Sequence, residues 1–321
     1  MVDDAERTGE YGHLPVLLRE VLAYLDPQPG DLFIDGTLGA GGHASAILDL
    51  IAPNGRLLAF DRDPEAMQFA TRRLDSCGNR LTPVVASYAD MGTIAPEHGF
   101  AAVDGILLDL GLSSRQLEDA NRGFSFLKEG PLDMRFDPRQ GGTAADLINN
   151  LTAEELADIF RRYGEETHSR RIARLIIANR PLQTTTELAD LIENEIGRRG
   201  RPGRHPATQV FQALRIAVNG ELNEVERGLT AATRLLKPGG RLAVISFHSL
   251  EDRLVKNFFR DAARACVCPP EQPVCTCGAR PELKLVTRKA VQATESEIAA
   301  NPRSRSARLR VAAKSDNEDS E

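Results

Sequence analysis

No excess of positive charge marks this sequence. Its 40 Lys and Arg are outnumbered by 46 Asp and Glu, giving a net charge of -6. A protein of that balance has no overall field drawing it onto nucleic acid, so any such contact has to come from a local patch. No run of 18 or more apolar residues occurs, which excludes a membrane-spanning helix of ordinary length. The N-terminal stretch MVDDAERTGEYGH is acidic and polar and lacks the basic and apolar regions of a signal peptide, so a cytoplasmic, reducing location is expected. Cysteine is scarce. Of five, four fall between Cys266 and Cys277, and Cys77 stands alone. In a reducing compartment such a cluster points away from disulfides. Tryptophan is absent and aromatics reach only 5%, yet the hydrophobic share of 41% is ordinary for a soluble globular protein. A length of 321 residues leaves room for one or two cores.

What is present is a rhythm. After a helix expected over 16–24 and the breakers Pro27, Pro29 and Gly30, short apolar runs recur. Leu32-Phe33-Ile34 ends in Asp35, Leu57-Leu58-Ala59-Phe60 ends in Asp61, a third covers 81–86, and Ile106-Leu107-Leu108 ends in Asp109. These runs are apolar throughout, as in strands buried on both faces of a parallel sheet. Helical segments separate them; the clearest opens at Asp63-Pro64, a cap followed by proline at the first helical position. The pattern predicts an α/β fold, a Rossmann-like doubly wound sheet. It breaks after Asp109. Over 119–204 the periodicity is helical, with capping boxes at Thr152–Glu155 and Thr184–Glu187. The sheet pattern resumes with a helix over 221–236, the turn Lys237-Pro238-Gly239-Gly240, a strand over 242–247, and two late runs at 283–287 and 307–312 placed to close a sheet edge. The expected organisation is a first part of the sheet domain at 13–118, an inserted all-helical domain at 119–204, and a second part of the sheet domain at 205–313. The tails 1–12 and 314–321 read as disordered.

The segment Asp35-Gly36-Thr37-Leu38-Gly39-Ala40-Gly41-Gly42-His43 follows the first strand and precedes a helix, where a doubly wound sheet binds its cofactor. Asp61, at the end of the next strand, is placed to accept both ribose hydroxyls of an adenosine. The glycines do not follow the G-x-G-x-x-G of a pyrophosphate cradle, and Asp35 would repel a pyrophosphate. An acidic head to the loop suits the cationic methionine end of S-adenosylmethionine. The same loop also reads as a plain strand-to-helix turn with no ligand. Asp109-Leu110-Gly111-Leu112-Ser113-Ser114 delivers the fourth strand to the same edge. An exocyclic base amine is a poor nucleophile, because its lone pair is delocalised into the ring. A carboxylate or hydroxyl accepting its N–H localises that pair as a methyl arrives. Asp109 and Ser113 are the candidates for that catalytic role. Methylation at a ring carbon would need a cysteine nucleophile, and Cys77 reads as a minor helix-end residue. The pattern therefore favours nitrogen as the acceptor.

Longer blocks carry a resemblance. Residues 34–43 with Asp61-Arg62-Asp63-Pro64, then 104–116, Arg122-Gly123-Phe124-Ser125-Phe126 and 130–135, resemble the bacterial 16S ribosomal RNA cytosine-N4 methyltransferase family, ribosomal RNA small subunit methyltransferase H. So do His205-Pro206-Ala207-Thr208, 211–216, 246–253 and Asn301-Pro302-Arg303-Ser304-Arg305-Ser306. The resemblance spans residues 13 to about 312. It implies S-adenosylmethionine as methyl donor, N4 of a cytidine in the decoding region of small-subunit rRNA as acceptor, and cofactor contacts at Gly41, Gly42, His43, Asp61, Tyr88, Asp109 and Gln116. Tyr88 stands where relatives often carry Phe. The S/D-P-P-Y/F pattern of other amino-methyltransferases is absent after strand four, so the acceptor cannot be copied from them.

Three further features stay open at this level. The loop Gly197-Arg198-Arg199-Gly200-Arg201-Pro202-Gly203-Arg204-His205, with Arg161, Arg162, Arg170, Arg171 and Arg174, reads either as an RNA-facing surface or as a solvated face. Arg303, Arg305, Arg308 and Arg310 form a second, weaker patch. His248 reads as a cleft residue or a structural one, and His43 as a cofactor contact or a helix cap. Cys266, Cys268, Cys275 and Cys277, spaced C-x-C-x6-C-x-C, read as a structural zinc site or as free thiols. A DNA amino-methyltransferase and a non-catalytic RNA-binding assembly factor are the rival functions. The oligomeric state, dimer included, is left open.

Overall fold

The structure, a computed structural model, describes residues 14–197, 205–266, 268, 272, 274 and 276–316. The expected disorder of 1–12 lies outside these residues, as do the loop arginines Arg198, Arg199, Arg201 and Arg204, and Cys275. The chain divides into two compact units, one of Met1–Gly111 with Leu222–Glu321 and one of Leu112–Glu221.

Among the described residues the first unit is built on seven strands. They are β1 (Leu32–Asp35), β2 (Arg56–Asp61), β3 (Leu81–Val85), β4 (Val103–Asp109), β5 (Leu236–Ser246), β6 (Leu283–Leu285) and β7 (Arg308–Lys314), and their spatial order is β3-β2-β1-β4-β5-β7-β6. The pairs among β1 to β5 are parallel; β7 runs antiparallel to both β5 and β6. The chain therefore winds outward from β1 to β3 and returns to β4 beside β1, which opens a switch-point crevice at the carboxyl ends of β1 and β4. Lys314 closes β7 by pairing with Leu283, so the expected disordered tail begins no earlier than 315. The late runs do close the sheet edge. The Lys237–Gly240 turn is absorbed into β5, which pairs with β4 across a register shift.

The continuous apolar runs are explained by alternation. Phe33, Leu57, Leu107, Ala243 and Ile245 face one core, while Ile34, Leu58, Leu108, Leu242 and Val244 face the other. The first core is covered by α1 (Leu18–Leu25), α2 (Gly42–Leu50) and α3 (Pro64–Arg73); the second by α4 (Met91–Glu97), α11 (Glu221–Leu235) and α12 (Ser249–Ala262). In α3 the Asp63 carboxylate accepts from the Glu65 and Ala66 amides, and Pro64 opens the helix, as the sequence requires.

The second unit is helical: α5 (Ser114–Glu118), α6 (Ala144–Asn150), α7 (Ala153–Gly164), α8 (Ser169–Ala178), α9 (Thr185–Ile196) and α10 (Thr208–Asn219). Capping boxes at Thr143/Asp146, Thr152/Glu155 and Thr184/Glu187 start three of them. Its borders differ from the expected 119–204. α10, read from the sequence as part of the sheet domain, packs along α7 so closely that a Cβ on Gly164 would meet the Gln209 carbonyl at 2.5 Å. Asn219 also binds this unit, donating to the Met134 carbonyl at 2.7 Å and accepting from the Phe136 amide at 2.8 Å. The chain then enters the first unit along α11 (Glu221–Leu235), from Leu222 on, and continues there with α12 (Ser249–Ala262) and α13 (Glu295–Ala300).

Candidate active site

Three strands of the sheet end in a carboxylate, and the glycine loop ties these ends together. Asp61 Oδ2 accepts from the Gly39 amide at 2.8 Å and Oδ1 from the Asp63 amide at 2.9 Å. Asp35 Oδ1 accepts from the Thr37 amide at 3.0 Å. The Thr37 hydroxyl in turn accepts from the Asp109 amide at 2.7 Å, so one loop residue binds the ends of β1 and β4. Gly41, at φ 79°, starts α2 in a left-handed conformation against Leu74, a position only glycine holds without strain. Gly42 lies against Pro15, and Tyr88 lies against Gly36 and Gly228. Beyond it, the Ser87 hydroxyl bonds Glu224 of α11, which also stands 3.8 Å from Arg62.

These carboxylates hold protons unusually well. Burial lifts Asp35 to about 7, helped by the charge of Asp61, although the Thr37 amide opposes it. Burial likewise lifts Asp61 to about 6 against the pull of the Asp63 and Gly39 amides. Asp109 rises furthest, to about 8, through burial and the neighbouring Asp35, with Arg303 drawing it down and Glu251 pushing it up. Its Oδ1 is enclosed and receives no hydrogen bond. The side chain as a whole keeps 24% of its surface exposed, so Asp109 remains reachable.

His43 is not a helix cap; Gly41 takes that place. Its Nε2 lies 3.0 Å from the Val16 carbonyl, which can only accept, so this nitrogen carries the proton. Burial lowers the ring to about 4, leaving it neutral with a bare Nδ1, 3.6 Å from Asp109 Oδ2. Asp109 thus faces a lone pair on that side. The segment bearing Val16 is itself strapped from the C-terminal part of the chain. The Leu17 amide donates to Glu297 Oε1 at 2.7 Å, and the Asn301 amide nitrogen donates to the Leu14 carbonyl at 3.0 Å.

A family model described as the MraW methylase family matches residues 10–315. The chain belongs to the MraW methylase family. A relative named ribosomal RNA small subunit methyltransferase H, from Syntrophotalea carbinolica, is 55% identical over 94% of this chain and 97% of its own length. Relatives of the same name from Geobacter sulfurreducens and Thermomicrobium roseum are 52% and 54% identical over 95% and 94% of this chain, and 99% and 93% of theirs. The family expected from the sequence blocks is the family found.

Within this MraW methylase, Gly41, Gly42, His43, Asp61, Tyr88 and Asp109 gather around one loop of the first unit. Ser113 and Gln116 belong to the second unit and are engaged with each other: Ser113 Oγ accepts from the Gln116 amide at 3.2 Å, and Gln116 Oε1 accepts from the Ser113 amide at 3.0 Å. Cys77 sits in a short turn after α3, packed on the first core, away from the strand ends. His248 caps α12 by accepting the Glu251 amide, a structural role. Arg310, assigned from sequence to a basic patch, is paired with Asp252 at 2.8 Å. On the helical unit Arg161 and Arg162 pair with Asp158, and Arg171 with Glu195; Arg170 and Arg174 carry no ion pair among the described residues. Sequence reasoning missed Thr37, although it lies inside the recognised loop. It also missed the influence of Arg303 on Asp109, which spans most of the chain and leaves no local signal.

Proposed function

We propose that this chain transfers a methyl group from S-adenosylmethionine to N4 of a cytidine in the decoding region of 16S rRNA, carried in the small ribosomal subunit. The observation that carries the reading is Asp109, a reachable carboxyl at the end of β4 whose proton affinity is raised to about 8. The names of the relatives supply the small-subunit rRNA as substrate.

The residues fit the cofactor. Three carboxyls held above their ordinary range, one with an oxygen that no hydrogen bond satisfies, form a donor set that favours a cation. Asp61 would take the ribose hydroxyls with the lone pairs its two amide partners leave over, and Asp35 would face the methionine ammonium. Gly41, Gly42 and His43 would border the methionine end, and the Tyr88 ring would flank the adenine. Gln116 joins these contacts, and Ser113 stands as a second N–H acceptor, on the sequence argument and the resemblance alone. When bound, S-adenosylmethionine supplies a methyl already activated on a sulfonium.

Asp109 handles the proton. Beside a cation it ionises, and as a carboxylate it accepts an N4–H bond that localises the amine lone pair. With a proton affinity raised by burial, Asp109 would then take the surplus N4 proton at neutral pH. No cysteine is found at the described strand ends to attack a ring carbon, which supports nitrogen as the methyl acceptor. The helical unit would grip RNA through Arg170 and Arg174.

Unmodified small subunits incubated with methyl-labelled cofactor, followed by nucleoside analysis, test the reading. Labelled N4-methylcytidine is the expected product. Labelled 5-methylcytidine, transfer to duplex DNA but not to subunits, or RNA binding without transfer would each overturn it.

A further inference from the structure

Between α12 and β6 the chain makes an excursion over 263–281 whose ends are pinned together, the Glu282 amide donating to the Ala262 carbonyl at 2.8 Å. Its described residues are exposed or half-buried, and the apolar Val274 is 69% exposed. A long loop with no apolar core of its own needs another source of order.

Three thiols converge inside it. The sulfurs of Cys266, Cys268 and Cys277 all lie within 4.8 Å of one another, and those of Cys266 and Cys277 are 3.8 Å apart. A disulfide would bring two sulfurs to about 2.05 Å. Around a tetrahedral ion with metal–sulfur bonds of about 2.3 Å, neighbouring sulfurs stand about 3.8 Å apart. The backbone supports the same reading on both arms of the loop. The Cys268 amide points at Cys266 Sγ at 3.4 Å, and the Ala279 amide points at Cys277 Sγ at 3.5 Å. In each arm the N–H two residues on faces the sulfur, an arrangement that stabilises thiolate charge and fixes a ligand's direction.

We propose that Cys266, Cys268 and Cys277 bind one zinc ion that braces this loop. Each thiol releases its proton to solvent as its sulfur–zinc bond forms and a water leaves the ion. Cys275 follows the same C-x-C spacing in the sequence but lies outside the described residues, and the proposal stands on the other three. The ion is structural: it organises the excursion between α12 and β6 and takes no part in methyl transfer.

The test uses the full-length protein, purified without chelator and dialysed, with metal content measured by mass spectrometry. The expected result is about one zinc per chain, retained in Cys77→Ser and lost in the Cys266→Ser/Cys277→Ser double variant. Cobalt exchanged into the wild type should give the intense visible bands of a tetrahedral thiolate site. A thiol reagent should find at least three more reactive cysteines after a chelator is added. Zinc unchanged in the double variant overturns the proposal, as does wild-type protein that takes up neither zinc nor cobalt, or an intact mass showing a disulfide. The cobalt and thiol measurements use the wild type alone, so they decide the matter even if the double variant fails to fold.

Discussion

If Asp109 holds a proton until a cation arrives, cofactor affinity must depend on pH in a way that tracks charge. Take the ligand-free value of about 8 and let the sulfonium bind only beside the ionised carboxylate. The weakening at pH 6 relative to pH 8 is then (1 + 10²)/(1 + 10⁰), roughly 50-fold or about 2.3 kcal/mol. S-adenosylhomocysteine, which keeps the adenosine and the ammonium but has a neutral sulfur, should show a clearly smaller slope. Calorimetric titrations of both ligands from pH 6 to 8, in buffers of different ionisation enthalpy, report affinity and proton release together. Near pH 7 the cationic ligand should release close to one proton more than S-adenosylhomocysteine does, and Asp109→Asn should abolish that difference, leaving only what Asp35 releases to the ammonium common to both. Equal slopes for the two ligands, or a difference in slope that survives in Asp109→Asn, would refute the reasoning.

The same carboxyls set the stability of the ligand-free protein. Asp35, Asp61 and Asp109 hold protons more tightly folded than unfolded, so their contribution is full below the ordinary carboxyl range and is lost as pH climbs through about 6 to 8. The melting temperature should fall over that window, and Asp109→Asn should raise it at pH 8 more than at pH 5; a flat profile counts against the raised values. Gly164→Ala places a methyl against the Gln209 carbonyl and should cost about 1–3 kcal/mol in urea denaturation, with cofactor affinity unchanged. Reversing Arg170 and Arg174 to Glu should weaken binding to small subunits and lower the salt slope by about 0.7 for each phosphate left without its arginine; an unchanged slope would remove them from the RNA surface.

The sheet was legible because its signals are local. Three of the runs end in a carboxylate at a strand terminus, and Asp63-Pro64, Thr152 and Thr184 announce helix starts through hydrogen bonds within four residues. The borders of the helical unit were not. An amphipathic helix such as α10 has the same periodicity whether it covers a sheet or packs on α7, and what decides is Gly164, more than forty positions away. The active site divides the same way. Asp61 and Asp109 follow from strand ends. The neutral state of His43 depends on a carbonyl at Val16, and the charge balance at Asp109 on Arg303, neither of which periodicity can reveal.

The straps from Glu297 and Asn301 onto residues 14–17 give the crevice a schedule as well as a shape. A ribosome releases the glycine loop long before these two residues, so a growing chain carries the loop while the segment whose Val16 carbonyl orients His43 is still unstrapped. Coenzyme capture should therefore switch on abruptly once the segment bearing Glu297 and Asn301 has emerged. Nascent chains arrested before Glu295 should hold S-adenosylmethionine far more weakly than chains arrested after Lys314.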